Sequence, residues 1–166
     1  MATSESTTLR SPSSVSIEAM TEHDLLEVCE IEEISELSAW GWDAYHHELE
    51  SQQDTIMLVA RVDPGFHRWQ IAGFIVARLI AGELHVNNVA VRPEFRRHRV
   101  GSNLLKTTLR VAQNHGATVA HLEVRAGNAV AQRLYVRCGF RVTGRRKNYY
   151  RAPVEDALLM SLSLGS

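Results

Sequence analysis

Three successive segments, Ile56 to Val62, Trp69 to Ile80 and Glu83 to Val91, are rich in β-branched residues and separated only by short turn-forming stretches. Asp63-Pro-Gly65 and Ala81-Gly82 supply the turn chemistry. Strands joined so tightly can pair only antiparallel, so these segments predict a meander. The period then changes. From Gly101 to about His115, Leu104, Leu105, Thr108, Leu109 and Ala112 recur at helical spacing, and Gly116 stops the helix. Val119 to Val124 reads as a strand, and Asn128 caps a helix that Gly139 ends in the usual C′ position. Phe140 to Thr143 and Ala157 to Leu164 complete the sheet.

Upstream, Ser14 to Ile17 is a brief alternating strand. Thr21-x-x-Asp24 forms a relaxed capping box ahead of the apolar stripe Leu25, Val28, Cys29, Ile31, Ile34 and Leu37. After a break at Ser38-Ala-Trp-Gly41, a shorter helix runs from about Trp42 to Gln52. The order β-α-α-β-β-β-α-β-α-β-β is that of an α/β protein with a mixed sheet.

A chain of 166 residues is one domain's worth, and 45% hydrophobic with 22% charged residues suits a globular protein. Residues 1–14 carry eight Ser or Thr and almost nothing apolar, which predicts a disordered tail before a single domain at 15–166. That start has no apolar h-region, and no apolar run approaches a membrane span. Cys29 and Cys138 make no CxxC pair and read as reduced thiols in a cytoplasmic protein with no membrane partner.

The net charge of −1 conceals a division. Residues 1–65 hold 14 acidic and 2 basic side chains, whereas residues 66–151 hold 3 acidic and 16 basic ones. Such asymmetry favours an anion on the second half and a cation on the first.

Two segments carry chemistry. Val89-Ala-Val-Arg-Pro-Glu-Phe-Arg-Arg-His-Arg-Val-Gly101-Ser leads a strand through a loop of arginines into a helix, where free N–H groups and the helix dipole attract phosphate. It contains neither GxxxxGK[ST] nor GxGxxG, which sets aside a Walker loop and a dinucleotide fingerprint. The second segment is Leu122-Glu-Val-Arg-Ala-Gly-Asn128, followed by Leu134-Tyr-Val-Arg-Cys-Gly-Phe140. Glu123 is the only acid between Glu94 and Glu155, and a lone carboxylate between apolar neighbours suits a general base. Tyr135, in the following helix, can serve a leaving group as an acid.

VNNVAVRPEFRRHRVGSNLL, LEVRAGNAVAQRLYVRCGF and RRKNYY resemble the GCN5-related N-acetyltransferases (GNAT), and within them the RimI-type ribosomal-protein alanine N-acetyltransferases. The likeness runs without a gap from Val89 to Tyr150 and persists upstream in Ile17-Glu-Ala-Met-Thr-x-x-Asp24 and Trp42-Asp-x-x-x-x-Glu-Leu49. It implies the GNAT fold: a mixed, mostly antiparallel central sheet flanked by helices on both faces. It also implies acetyl-CoA as co-substrate and direct attack by an amine in a ternary complex. Val89, Ala90 and Val91 would hold the pantetheine arm. Arg97, His98, Arg99, Val100, Gly101 and Ser102 would cradle the pyrophosphate, and Asn128 would contact the cofactor. Glu123 matches the family's general base and Tyr135 its general acid. Tyr149 and Tyr150 match a substrate-covering loop, which with Trp40 and Trp42 would form a slot for a peptide N-terminus. Two positions depart from the pattern: Arg99 occupies the place of the loop's first glycine, and Ala39 lies near a common proline.

The acceptor expected is the N-terminal α-amine of a protein, with a basic ribosomal protein as a candidate partner. At pH 7 roughly a tenth of α-amines are neutral, against fewer than about one lysine in a thousand, so one carboxylate has the easier task with the former. A lysine, polyamine or small-amine acceptor on the same fold is the alternative, as is a non-catalytic acetyl-CoA-binding module suggested by Arg99. Retained Glu123 and Tyr135 speak against a module that only binds. The equally acidic first half speaks against nucleic acid. His121-x-Glu123 has the spacing of a zinc deaminase HxE, but no PCxxC follows it. His46 and His47, as helical neighbours, cannot converge and are expected to face solvent, so no metal site is expected.

Overall fold

Residues 71–77 are buried without a break, so the middle strand of the meander offers an apolar face to each of two cores, one on either side of the sheet. A computed structural model describes residues 14–35, 39–51, 53–63 and 69–165. Its elements are β1 (Val15–Ala19), α1 (Leu25–Ile34), α2 (Gly41–Ser51), β2 (Thr55–Val62), β3 (Gln70–Ile80), β4 (Glu83–Val91), α3 (Val100–Asn114), β5 (Val119–Arg125), α4 (Ala129–Arg137), β6 (Arg141–Arg151) and β7 (Val154–Ser163). The strands form one sheet in the order β1-β2-β3-β4-β5-β7-β6, antiparallel at each pairing except β4–β5.

Successive residues of β3 feed opposite cores. Ile75 packs with Leu104, Leu105 and Ala112 of α3, whereas Phe74 and Val76 pack with Leu25, Val28 and Ile31 of α1 and Tyr45 of α2. Helices therefore cover both faces, as the fold requires. Truncating a fully buried anchor such as Leu104 to Ala costs about 2–5 kcal/mol.

The entry to α1 is held from behind. Asp24 accepts the Thr21 backbone N–H at 2.8 Å, the reaching-back half of a capping box, and pairs with Arg61 at 2.8 Å. Three sequence expectations fall wholly or partly outside the described residues: the tail, the turn at Pro64-Gly65, and Leu37 and Ser38 around the break.

One element differs in extent. β6 continues to Arg151, well beyond the expected Thr143, and β7 starts at Val154. An edge strand shows solvent most of its length, so Arg141–Arg151 is polar and lacks the alternation that marks a half-buried strand. Tyr149 and Tyr150 thus lie in a strand rather than a loop.

Candidate active site

The site begins where β4 and β5 part. Their parallel pairing runs from Glu83–Val119 to Val86–Leu122 and stops. Asn87 is a bulge: Val86 pairs with Ala77 and Asn88 with Val76, so one residue is left over. Beyond it Val89, Ala90 and Val91 stay paired to β3, while their other edge faces a groove. β3 can approach this closely because residue 73 is glycine; a Cβ there would stand 2.6 Å from the Ala90 carbonyl oxygen. The result is a strand edge that, among the described residues, pairs with no other strand and carries one side-chain contact, Arg96 Nε to the Val91 carbonyl at 3.4 Å, so it suits an extended polar arm.

The arginine loop closes one end of the groove. Arg97 and Arg99 both adopt left-handed backbone, at φ +65° and +60°, and Arg99 is the residue before α3. An L-residue pays roughly 1–2 kcal/mol for that conformation. Arg99 thereby takes the shape that a glycine would take freely. The first N–H of α3 to bond a backbone carbonyl is that of Asn103, to Arg99 at 2.9 Å. Those of Val100, Gly101 and Ser102 find no acceptor among the described residues. Three free N–H groups, the helix dipole and exposed arginines make an anion cradle. Arg97, Arg99, Val100, Gly101 and Ser102 line the groove; His98 does not.

Glu123 is the residue just past the last β4–β5 pair, so the parting of the strands exposes it to the groove. Its side chain is 32% exposed and it is not alone: Arg146 Nη1 stands 3.5 Å from Oε1. The nearby Glu123 carboxylate also holds the Tyr149 pKa above its usual value. Tyr135, 7% exposed, stands edge-on to Phe140 and also lines the groove. Burial pushes its pKa up, so its hydroxyl stays a neutral donor. Asn128 caps α4, its Oδ1 accepting the Ala131 N–H at 3.1 Å, which leaves its amide N–H groups for the groove.

On the other wall, Trp40, Tyr149 and Tyr150 line the groove. Trp42 does not; it stacks on His46 with ring centroids 4.6 Å apart, and His46 is accordingly half-buried rather than fully solvent-facing. Tyr150 lies under the Arg125 guanidinium, 4.2 Å from ring centroid to Cζ.

The residues that hold this wall escaped sequence reasoning. Glu32 is only 3% exposed. It accepts the N–H groups of Trp40 and Gly41 at 2.6 and 3.2 Å and the Tyr45 hydroxyl at 2.8 Å. Asn88, next to the bulge, donates to the Tyr45 oxygen at 3.0 Å. Burial first, then Glu32, pushes the Tyr45 pKa up. The available signal was an acid four residues after Val28, squarely on the buried stripe of α1.

Comparisons with known proteins match the chain to one family and fold. The Acetyltransferase (GNAT) family profile matches residues 22–140. A Bacillus subtilis (strain 168) relative is 33% identical over 141 residues, covering 85% of this chain and 90% of the relative. The ribosomal protein bS18-alanine N-acetyltransferase of Haemophilus ducreyi is 30% identical over 151 residues, covering 89% and 99%. The crystal structure of the ribosomal-protein-S18-alanine N-acetyltransferase from Escherichia coli superposes with a TM-score of 0.80 at 26% identity, covering 92% of this chain and 96% of that one.

Proposed function

The chain belongs to the GNAT family of acetyl-CoA-dependent N-acetyltransferases, and on that premise we propose that it acetylates the N-terminal α-amine of a protein, a ribosomal protein beginning with alanine in the first instance. One observation carries the reading: the β4–β5 pairing ends at Val86–Leu122, so the next residue, Glu123, is presented to the groove beside a free strand edge. An acyl donor lying along Val89–Val91 and an amine entering from the Trp40–Tyr149 side meet at that carboxylate.

The residues present fit acetyl-CoA. The free edge of β4 matches the amide groups of the pantetheine arm, and the unpaired N–H groups of Val100–Ser102 with Arg97 and Arg99 match its pyrophosphate. The amine nitrogen attacks the thioester carbonyl carbon, the C–S bond breaks, and Glu123 accepts the proton that the nitrogen loses. The Tyr135 hydroxyl donates its proton to the departing thiolate and is reprotonated from solvent. The products are an N-acetylated chain and free CoA. No covalent enzyme intermediate is required, so the groove needs no nucleophilic side chain.

The likeness to bS18-alanine acetyltransferases supports a protein N-terminus as the acceptor and the cytoplasm, where such a protein is made, as the place of action. Among the described residues no helix is long and apolar enough to cross a membrane. Intact-mass measurement tests the reading with acetyl-CoA and two peptides, one beginning with free alanine and lacking lysine, the other N-terminally blocked with one lysine. One added acetyl group on the first peptide is expected. Modification of the second alone overturns the proposal.

A further inference from the structure

Arg146 has no part in the mechanism above, yet it stands beside the base. Its position follows from an irregularity in β6. Arg146 pairs with Ala157 and Tyr150 with Glu155, so Lys147, Asn148 and Tyr149 stand opposite Asp156 alone. Asp156 pins this bulge by accepting the Asn148 N–H at 2.9 Å and pairing with Arg145 at 2.7 Å, while Asn148 takes left-handed backbone at φ +51°. The bulge turns Arg146 and Tyr149 onto the same carboxylate: Arg146 Nη1 is 3.5 Å from Glu123 Oε1, and its Cζ is 5.6 Å from the centre of the Tyr149 ring. Arg146 is nevertheless 56% exposed and lines the groove, so its charge faces whatever enters.

We infer that Arg146 is a specificity-determining residue that makes the acceptor slot refuse a permanently cationic amine. This rests on the function proposed above. A carboxylate alone at the bottom of a slot would attract any ammonium group. Glu123 with Arg146 presents almost no net charge, so a protonated amine gains nothing by entering and gives up its hydration. An α-amine sheds its proton near neutrality, with a pKa of about 7.7–8.0, and enters neutral. A lysine ε-amine, near 10.4, is excluded by the same charge for all but a minute fraction of the time. The arginine thus converts a difference in acceptor basicity into a difference in acceptor use.

The test measures kcat/KM for the two peptides above with wild type, Arg146→Gln and Arg146→Lys. The expected result is a wild-type preference for the α-amine that falls at least tenfold in Arg146→Gln, mainly through a lower KM for the lysine peptide. Arg146→Lys, which keeps the charge, should restore the preference to within about threefold, whereas high salt should weaken the lysine-peptide gain of Arg146→Gln, whose carboxylate is no longer neutralised. A preference unchanged within twofold in Arg146→Gln overturns the inference, and wild-type turnover of the alanine peptide then leaves the proposed function standing. Wild type that prefers the lysine peptide, or acetylates neither while binding CoA, overturns both. Loss of CoA binding in Arg146→Gln also overturns the assignment, because a residue that only screens the amine has no part in holding CoA.

Discussion

The hydroxyl of Tyr45 donates to the buried carboxylate of Glu32 at 2.8 Å, tying the first turns of α2 to the end of α1. The same oxygen accepts from Asn88 at 3.0 Å, one residue past the bulge at which β4 leaves β5. Glu32 also holds the backbone N–H groups of Trp40 and Gly41. One buried acid therefore fixes the Trp40 wall of the groove to the strand that opens it. Carboxylates near a helix start favour this arrangement, since the dipole and free N–H groups of α2 meet negative charge.

Tyr45→Phe leaves Asn88 without its acceptor and removes one of the three donors to Glu32 while keeping the ring's packing. It should cost about 1–3 kcal/mol, or a fall of several degrees in Tm. The acceptor KM should rise more than the CoA Kd, because the damage lies on the Trp40 wall. Thermal unfolding with kinetics for each substrate separately checks both.

Arg99 offers a test of backbone strain separate from charge. Arg99→Gly and Arg99→Ala remove the same cation, but only glycine is at ease at φ +60°. Arg99→Gly should be more stable than Arg99→Ala by about 1 kcal/mol. If charge alone supports CoA binding, both should bind it more weakly than wild type by a similar factor, with a shallower salt dependence. Chemical denaturation and isothermal titration with CoA measure the two effects.

Each of the chain's four tyrosines has a pKa raised above the ordinary value of about 10: Tyr45, Tyr135 and Tyr150 chiefly by burial, and Tyr149 chiefly by the nearby Glu123 carboxylate. A tyrosine that stays protonated longer when folded than when unfolded contributes stability that is complete below pH about 10 and is lost as pH rises through the folded pKa. Spectrophotometric titration should show the native tyrosinate signal displaced upward and returned to about 10 in denaturant. Tyr135→Phe should remove one of the late-titrating groups.

Asp156 titrates in the opposite sense. The Asn148 N–H first, then Arg145, hold its pKa below the usual value. Its contribution is present above the ordinary aspartate pKa, near 4, and is lost as pH falls through the lower folded value. Asp156→Asn should therefore flatten the acid limb of the stability curve below pH about 4 and loosen the bulge that aims Arg146. Urea unfolding at a series of acid pH values reads the first effect, and the peptide preference reads the second.

What the sequence made legible is local chemistry. Val89–Val91, Arg97–Ser102 and Glu123 lie in short contiguous motifs whose likeness to the family singled them out, and all of them but His98 line the groove. The wall of the slot was less legible because it is assembled across the fold: Glu32 and Tyr45 are 13 residues apart, and Tyr45 and Asn88 are 43 apart. β6 was read short because an edge strand facing water needs no apolar alternation. That error hid Asp156 and the bulge, and with them the approach of Arg146 to Glu123. Trp42 shows the converse: aromatic character two residues from Trp40 suggested a shared slot, but the helical turn sends it to His46 instead.

The proposed chemistry turns on Glu123 taking the proton from an α-amine held in the groove. The most direct measurement is the kcat of Glu123→Gln against wild type on the alanine peptide, with CoA affinity measured in parallel. Glutamine keeps the shape but cannot accept the proton, and general-base catalysis is worth about 10²–10⁴-fold. A kcat at least a hundredfold lower is expected, with the CoA Kd unchanged within twofold. A kcat within tenfold of wild type across pH 6 to 9 would contradict it.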